Sequence, residues 1–233
     1  MPKHENYFDP EWVKSRHGVV RELREYVEHG PPEPQANWDV LWVLSGPQLD
    51  WDGIQIAPGE QPANYNQTRK RWETGLQLAR RVTALRLKKS PDQLTMKDLA
   101  ASAPTIYYNG VATGNDLFQE FIKPGGRLET EQHFPGSKVM ITANRGIKHT
   151  GHQFEDFPAD LVQENKKVVI ISDLYHLARV KRYVEKFYEK VPPENVVLYA
   201  AEPASLPIRD TLGEIKKIYE YAQAGIVSPE PEE

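Results

Sequence analysis

The sequence contains no cysteine among its 233 residues. A disulfide framework, a thiolate nucleophile and a zinc site with cysteine ligands are therefore excluded, and any chemistry must come from other side chains. The sequence also lacks an excess of positive charge, because its formal net charge is −4 at pH 7. General nucleic-acid-binding proteins are usually basic, so we expect no nucleic-acid partner.

Long apolar runs are missing as well. No segment approaches the roughly 20 apolar residues that a membrane-spanning helix requires. The opening letters, MPKHENYFDPEW, lack the apolar core of a signal peptide. These patterns favour a cytoplasmic protein without a membrane partner, and they leave its oligomeric state open.

The chain does contain short apolar runs that alternate with amphipathic segments. Runs rich in β-branched or aromatic residues predict strands, and apolar residues three and four positions apart predict helices. The predicted strands are 39–44, 105–109, 138–142, 168–171 and 195–200. The predicted helices are 11–30, 64–87, 115–122, a segment reaching about 165, the segment that follows the fourth strand, and 212–224.

This alternation predicts a Rossmann-like, doubly wound α/β fold whose mainly parallel, five-stranded sheet carries helices on both faces. If the strand order is the common 3-2-1-4-5, strands one and four are neighbours at the topological switch, where such folds bind ligands. Residues 1–36 are predicted to form an N-terminal helix and a proline-rich linker. The α/β domain is predicted over 37–225, and a disordered acidic tail over 226–233.

The densest cluster of reactive side chains follows the fourth predicted strand, where Ser172, Asp173, His176 and Arg179 stand at the start of a helix. A histidine can move protons near neutral pH, and an aspartate can orient it. An arginine can bind phosphate or carboxylate with two hydrogen bonds. The structural alternative is that Ser172 or Asp173 only caps the helix and that Arg179 is an ordinary surface residue.

Other candidates follow the first two strands. Ser45-Gly46 and Asn109-Gly110 are turns whose backbone N–H groups could face an anion, although ordinary turns also use glycine. Arg71 belongs to a run of three cations at the start of the crossover helix. Such a run usually forms a solvated face, and only one of its members can point inwards.

Residues 148–152 concentrate a cation, a hydroxyl and two imidazoles, namely Lys148, Thr150, His149 and His152. Two histidines three positions apart could hold a metal, but no acidic partner stands at a recognised zinc spacing. We therefore expect no metal and favour anion binding. The role of Thr150 is open between a nucleophile, a ligand contact and a helix cap.

The segment Ile171-Ser172-Asp173-Leu174-Tyr175-His176-Leu177-Ala178-Arg179 resembles a motif of the bacterial YdcF, SanA and ElyC family, in which a strand runs into Thr-Ser-x-Tyr-His-x-x-Arg. His176 and Arg179 match that motif directly. The resemblance covers residues 38–222. Looser matches are Ser45-Gly46 for the first glycine turn, Arg71 for a helix arginine, Asn109-Gly110 for a Ser-Gly pair and Asp116 for an acidic residue after that pair.

A further polar motif of this family is close to Ser-x-Asn-Thr-x-Glu-Asn, and the present chain departs from it. Thr150 is kept, whereas His149, His152 and Gln153 stand where the family has Asn, Glu and Asn. The missing glutamate points to a substrate different from that of the relatives.

The resemblance implies a Rossmann-like domain with a polar pocket at the carboxyl ends of its strands. Some members of the family are associated with S-adenosylmethionine and others with envelope metabolism. We therefore predict an enzyme that acts on a small phosphorylated or nucleotide-like metabolite, first by phosphoester hydrolysis, with His176, Asp173 and Thr150 as catalytic candidates. The alternative is a transferase or a non-catalytic protein that binds S-adenosylmethionine or another nucleotide.

Overall fold

The computed structural model describes residues 17–45, 63–162, 166–201 and 208–227. The helices are α1 (His17–His29), α2 (Ala63–Leu87), α3 (Met96–Ser102), α4 (Ala112–Ile122), α5 (Arg127–Thr130), α6 (Thr150–Glu155), α7 (Leu174–Lys186) and α8 (Ile208–Gln223). The strands are β1 (Trp38–Val43), β2 (Thr105–Tyr108), β3 (Val139–Ile141), β4 (Lys167–Ser172) and β5 (Val196–Ala200). Short 3₁₀ turns occupy Pro91–Gln93, Gly136–Lys138, Ala159–Leu161 and Pro193–Asn195.

The strands form one parallel sheet in the order β3-β2-β1-β4-β5. This confirms the predicted doubly wound α/β fold, and β1 and β4 are central neighbours. Val43 lies opposite Tyr108 of β2 and opposite Ile171 of β4, so these three strands end at nearly the same level. The residues that follow them therefore share one edge of the sheet, which is where open α/β folds bind ligands.

Both faces of the sheet are covered, which explains why its strands appear in the sequence as continuous apolar runs. On one face, Leu41 and Val43 belong to a buried cluster that includes Trp72 and Leu76 of α2. On the opposite face, Trp42 belongs to a second cluster, which contains side chains of α6 and α7. Alternate residues of β1 thus enter different cores, as the pleat of a strand requires.

The first helix belongs to this structure rather than standing apart from it. Val19 and Leu23 of α1 are buried in a small cluster with Ala178, Ile215 and Ile218, which come from α7 and α8. The described part of the helix begins at His17, and the predicted residues 11–16 lie outside the described residues. At the other end of the chain, Val227 is 2% exposed, two residues past the predicted domain boundary. Residues 228–233 lie outside the described residues.

The helix predicted up to about residue 165 is wrong in its extent. The structure has the short helix α6, which ends at Glu155, and then a 3₁₀ turn at Ala159–Leu161. Pro158 explains the interruption, because its ring disfavours helical geometry at the preceding residue and it has no N–H to donate. Residues 163–165 lie outside the described residues.

Helix α3 was not predicted, although its start carries a recognisable signal. The Thr95 hydroxyl accepts a hydrogen bond from the Asp98 N–H, and the Asp98 carboxylate accepts one from the Thr95 N–H. This reciprocal capping satisfies N–H groups that the first turn of a helix leaves free. Helix α5 lies in the segment 123–137, where no helix was predicted either.

Of the helices in the described ranges, none is both long enough and apolar enough to cross a membrane.

Candidate functional site

The side chain of Arg71 reaches the sheet edge from α2 and is held there by three contacts. Its Nε and Nη2 donate to the two oxygens of Asp173 at 3.2 and 2.5 Å, and its Nη1 donates to the Leu44 carbonyl at 3.0 Å. Burial alone would lower the pKa of Arg71, but the Asp173 carboxylate outweighs burial and raises it above its usual value. Arg71 therefore stays charged, and it joins the ends of β1 and β4.

Asp173 is the residue that precedes α7, and its carboxylate has a second partner. The Tyr175 hydroxyl donates to Asp173 Oδ2 at 3.1 Å. Burial, followed by the negative charge of Asp173, raises the pKa of Tyr175, so its hydroxyl remains a proton donor. Asp173 thus anchors Arg71 and Tyr175, and its contacts are not those of a residue that orients His176.

The imidazole of His176 is instead oriented by Ser172. Ser172 Oγ and His176 Nδ1 lie 2.7 Å apart, and both residues are buried. Nε2 of the same ring is buried and has no hydrogen-bond partner among the described residues. Burial, followed by the positive charges of Arg179, Arg71 and Lys217, lowers the pKa of His176 well below its usual 6.5. The ring is therefore neutral at physiological pH.

Arg179 does not face solvent. Its Nε and Nη2 donate to the two oxygens of Glu214 in α8 at 2.7 and 3.1 Å, and both side chains are buried. Lys217, one turn further along α8, donates to Glu214 Oε1 at 3.1 Å. The surface alternative for Arg179 is therefore wrong. Glu214 and Lys217 were not predicted, because nothing in the sequence indicates that α8 packs beside α7 at this position.

The turn after β2, which was predicted to bind an anion, instead forms hydrogen bonds that connect neighbouring elements. Asn109 Oδ1 accepts from the Trp42 indole at 2.8 Å, and Asn109 Nδ2 donates to the Gln153 carbonyl at 2.7 Å. The Gln153 amide donates back to the Asn109 carbonyl at 2.8 Å and to Ser45 Oγ at 3.1 Å. Gln153 therefore ties α6 to the ends of β1 and β2.

Gly110 also has a structural role. Its N–H donates to Asn115 Oδ1 at 2.8 Å, so this donor is already used within the protein. A Cβ atom at this position would collide with the Tyr108 hydroxyl, which explains why a glycine is needed there. Gly46, the other predicted cradle residue, lies outside the described residues.

The segment 148–152 leads into α6, which begins at Thr150 and has His149 as its cap. The rings of His149 and His152 stack with their centroids 3.7 Å apart, and Nδ1 of His149 accepts from the His152 N–H at 3.3 Å. Nδ1 of His152 accepts from the N–H of the exposed Lys148 at 3.3 Å. Burial, followed by the charge of His152, lowers the pKa of His149. Thr150 is the first residue of the helix and is 8% exposed.

Asp116 lies on the surface rather than among the buried residues around His176. It forms an exposed ion pair with Arg145, with N–O distances of 2.7 and 2.8 Å. Nor does the structure gather a metal site: within the described ranges, no three His, Asp or Glu side chains converge on a point that could hold an ion.

The structure thus links one group of predicted residues by hydrogen bonds and electrostatic interactions. We call this group the β4 cluster, and it consists of Ser172, Asp173, His176, Arg179 and Arg71, to which the structure adds Glu214 and Lys217. Of the other predicted residues, His149 also interacts electrostatically with Arg179. The cluster contains the neutral imidazole of His176, whose Nε2 has no partner among the described residues, together with three cations and two carboxylates. Such a site suits an anionic ligand.

No family model, no curated protein and no solved structure matches this chain. The resemblance to the YdcF, SanA and ElyC family accordingly stays a prediction based on the segment 171–179.

Proposed function

We propose that the protein is an enzyme that hydrolyses a phosphoester of a small phosphorylated or nucleotide-like metabolite in the β4 cluster. The observation that carries this proposal is the buried imidazole of His176, whose Nε2 has no partner among the described residues. An unpaired buried polar atom costs free energy in a folded protein, and Nε2 is the one atom of this kind in the described residues that belongs to the β4 cluster. Its position among charged side chains supports a ligand or a reacting group there.

The charges of the cluster support a phosphate group as that ligand. Arg71, Arg179 and Lys217 supply three positive charges near His176, while Asp173 and Glu214 supply two negative ones. The sum is one positive charge, because the two arginines are paired with carboxylates and the half-exposed Lys217 adds a third cation. This excess favours an anion, most strongly where the site is shielded from water. The contacts of Arg71 with described residues use three of its five N–H groups, so two could donate to a phosphate oxygen.

The neutral state of His176 suits hydrolysis at physiological pH. An imidazole can accept a proton or attack an electrophile only when it is unprotonated, and the lowered pKa keeps it so. Asp173 takes a supporting role in this proposal, since its carboxylate is committed to Arg71 and Tyr175. Thr150 stays a predicted nucleophile or ligand contact, since His149 and not Thr150 caps α6.

A panel of phosphomonoesters and phosphodiesters tests the proposal. We expect turnover of at least one of them, and we expect His176→Asn to lower the rate by about 10²-fold or more, which is typical of a lost acid–base or nucleophilic group. The matched control is His29→Asn, because His29 is exposed on α1. Absence of turnover across the panel, or equal rates for the two variants, would refute the proposal.

Binding of S-adenosylmethionine or another nucleotide is a second candidate. It is favoured by the strand order, because β1 and β4 flank the switch point where doubly wound folds bind nucleotides. A ligand at 100 times its Kd would stabilise the protein by about 2.7 kcal/mol. Thermal denaturation with S-adenosylmethionine, nucleotides and phosphate esters separates the two: a rise in Tm with S-adenosylmethionine alone would replace hydrolysis by this function. A cytoplasmic location stays a prediction under either function.

A further inference from the structure

We propose that His176 Nε2 is itself the nucleophile and that the reaction passes through a phosphohistidine at this atom. The inference rests on the proposed function and goes beyond it, because it commits to one atom and to a covalent intermediate. It is carried by the way the imidazole is held and by the charges that surround it.

The ring is held through one nitrogen only. Nδ1 lies 2.7 Å from Ser172 Oγ, while Nε2 is buried without a partner among the described residues. When Nδ1–H donates to the serine oxygen, Nε2 keeps its lone pair and can form a bond. His176 lies in the first turn of α7, where its backbone N–H donates to the Asp173 carbonyl at 3.0 Å, so the ring starts from a fixed backbone.

The charges around the ring distinguish a nucleophile from a general base. A histidine that takes a proton becomes an imidazolium, which enzymes usually stabilise with an adjacent carboxylate. The group that contacts the ring is instead the neutral Ser172 hydroxyl. After burial, the charges that lower the pKa of His176 are those of Arg179, Arg71 and Lys217, although Asp173 and Glu214 are paired with these cations. A proton on Nε2 would add a positive charge among these cations with no anion attached to it. A phosphoryl group on Nε2 also makes the ring cationic while Nδ1 keeps its proton, but it brings two negative charges that these cations can stabilise. The same argument makes Ser172 a poor nucleophile, since its activation would place a proton on His176 without any negative charge attached to the ring.

The reaction balances in two steps with water as the only other reactant. The Nε2 lone pair attacks phosphorus in line with the leaving oxygen; the N–P bond forms, and the P–O electron pair leaves with that oxygen, which takes a proton from solvent. Water then attacks the same phosphorus, the N–P electron pair returns to Nε2, and dihydrogen phosphate leaves with both protons of the water, one of which it can release to solvent. Because His176 is only 4% exposed, access of the substrate has to displace the side chains that cover the ring.

The experiment uses the full chain and p-nitrophenyl phosphate as the probe. The reaction is quenched during turnover, and peptides are analysed by mass spectrometry after treatment with acid or with base. We expect one phosphoryl group on His176 that acid removes and base leaves in place. The exposed residue His29 serves as an internal control and should remain unmodified.

Other results would overturn the inference. An acid-stable phosphoserine at Ser172 would assign the nucleophile to the hydroxyl. Turnover without any protein-bound phosphate would leave the proposed function standing and remove the covalent step. If the probe is neither hydrolysed nor transferred to the protein, while other esters of the panel are hydrolysed without labelling, the inference also falls. If nothing is hydrolysed, it falls together with the proposed function.

A second pair of variants tests the charges without touching the buried ring. Lys217 is half exposed, so Lys217→Met should fold, and it removes one of the cations that act on His176. We expect it to slow phosphorylation of His176 by about tenfold. This effect is smaller than that of losing a buried donor, because solvent screens the charge of a half-exposed lysine. Lys216→Met, its neighbour in α8, should leave the rate unchanged. Equal rates in the two variants would remove Lys217 from the phosphoryl site.

Discussion

Single residues of the β4 cluster derive their properties from their partners. Arg71 and Asp173 are both buried, with side-chain exposures of 3% and 11%, and each compensates the charge of the other. Removing a charge from water is costly, so a buried pair adds little net stability, but one partner alone is strongly unfavourable. Asp116 and Arg145 form a pair with similar geometry at the surface, where water and salt screen it.

The comparison of these two pairs gives a first prediction. Asp173→Asn leaves the Arg71 charge buried without a counter-ion, so we expect it to lower the free energy of unfolding by about 3–5 kcal/mol. Asp116→Asn removes the same charge from the exposed pair and should leave stability nearly unchanged. Urea denaturation of both variants measures the difference. Equal stabilities would show that the Asp173 carboxylate is not compensating Arg71.

His176 gives a second prediction at this scale, on the pH dependence of stability. Its pKa is lower in the folded protein than the usual 6.5, so the unfolded chain takes up the proton first. The contribution is therefore fully present above pH 6.5 and is lost as the pH falls, by at most about 1.4 kcal/mol per pH unit. His149 acts in the same direction, because its pKa is also lowered.

Urea denaturation between pH 5 and 8 tests the His176 contribution. The fall in stability below pH 6.5 should be smaller in His176→Asn than in the wild type. In His29→Asn it should be the same as in the wild type. A His176→Asn profile that is parallel to the wild-type profile would contradict the lowered pKa.

At the scale of whole elements, two helical glycines differ in what surrounds them. Gly75 lies where α2 crosses the sheet, and a Cβ atom there would come within 2.9 Å of Val43 Cγ2 in β1. Val43 is β-branched and fully buried, so it cannot easily move away. Gly213 of α8 would meet nothing within 4 Å. Only the first glycine is required by the packing of a helix on a strand.

The same substitution should therefore have opposite effects at these two positions. Gly75→Ala overpacks the contact between α2 and β1 at a cost of about 1–3 kcal/mol, which exceeds the gain in helix propensity of at most about 1 kcal/mol. Gly213→Ala keeps only the gain and should stabilise the protein by about 0.5–1 kcal/mol. Thermal and urea denaturation check both signs. Stabilisation by Gly75→Ala would mean that α2 can shift away from β1.

For the molecule as a whole, the question is whether α1 is part of one cooperative structure. Leu23 is 1% exposed against α7 and α8, and Glu22 accepts a hydrogen bond from Arg182 of α7 at 2.9 Å. These contacts join α1, the first described helix, to α7 and α8, which lie in the second half of the chain. A helix held in this way should unfold with the rest of the protein.

Leu23→Ala tests this expectation. It should lower the free energy of unfolding by about 2–5 kcal/mol, as the loss of a large buried side chain usually does, and unfolding should remain a single transition. Val27 of the same helix is 43% exposed, so Val27→Ala is the matched control and should have little effect. A separate early transition for α1, or equal stabilities of the two variants, would show that α1 unfolds independently.

The fold class was predictable from the sequence because it depends on local patterns. Runs such as Val168–Ile171 are apolar on both faces of a strand, and the three- and four-residue spacing of α7 marks a helix, so the alternation of elements could be read directly. The bounds were less predictable. The early end of α6 depends on Pro158, and the start of α3 on the capping pair Thr95 and Asp98.

The sequence by itself also determined that His176 and Arg179 follow a central strand at the start of a helix. Only the tertiary structure decided what surrounds them, because their partners come from distant parts of the chain: Arg71 reaches Asp173 across 102 residues, and Glu214 reaches Arg179 across 35. Hydrogen bonds and charges act over a few ångströms in space, whatever the separation in sequence. Whether Asn109 faces a ligand or fastens α6, and whether the pKa of His176 is raised or lowered, therefore depends on packing and not on local sequence.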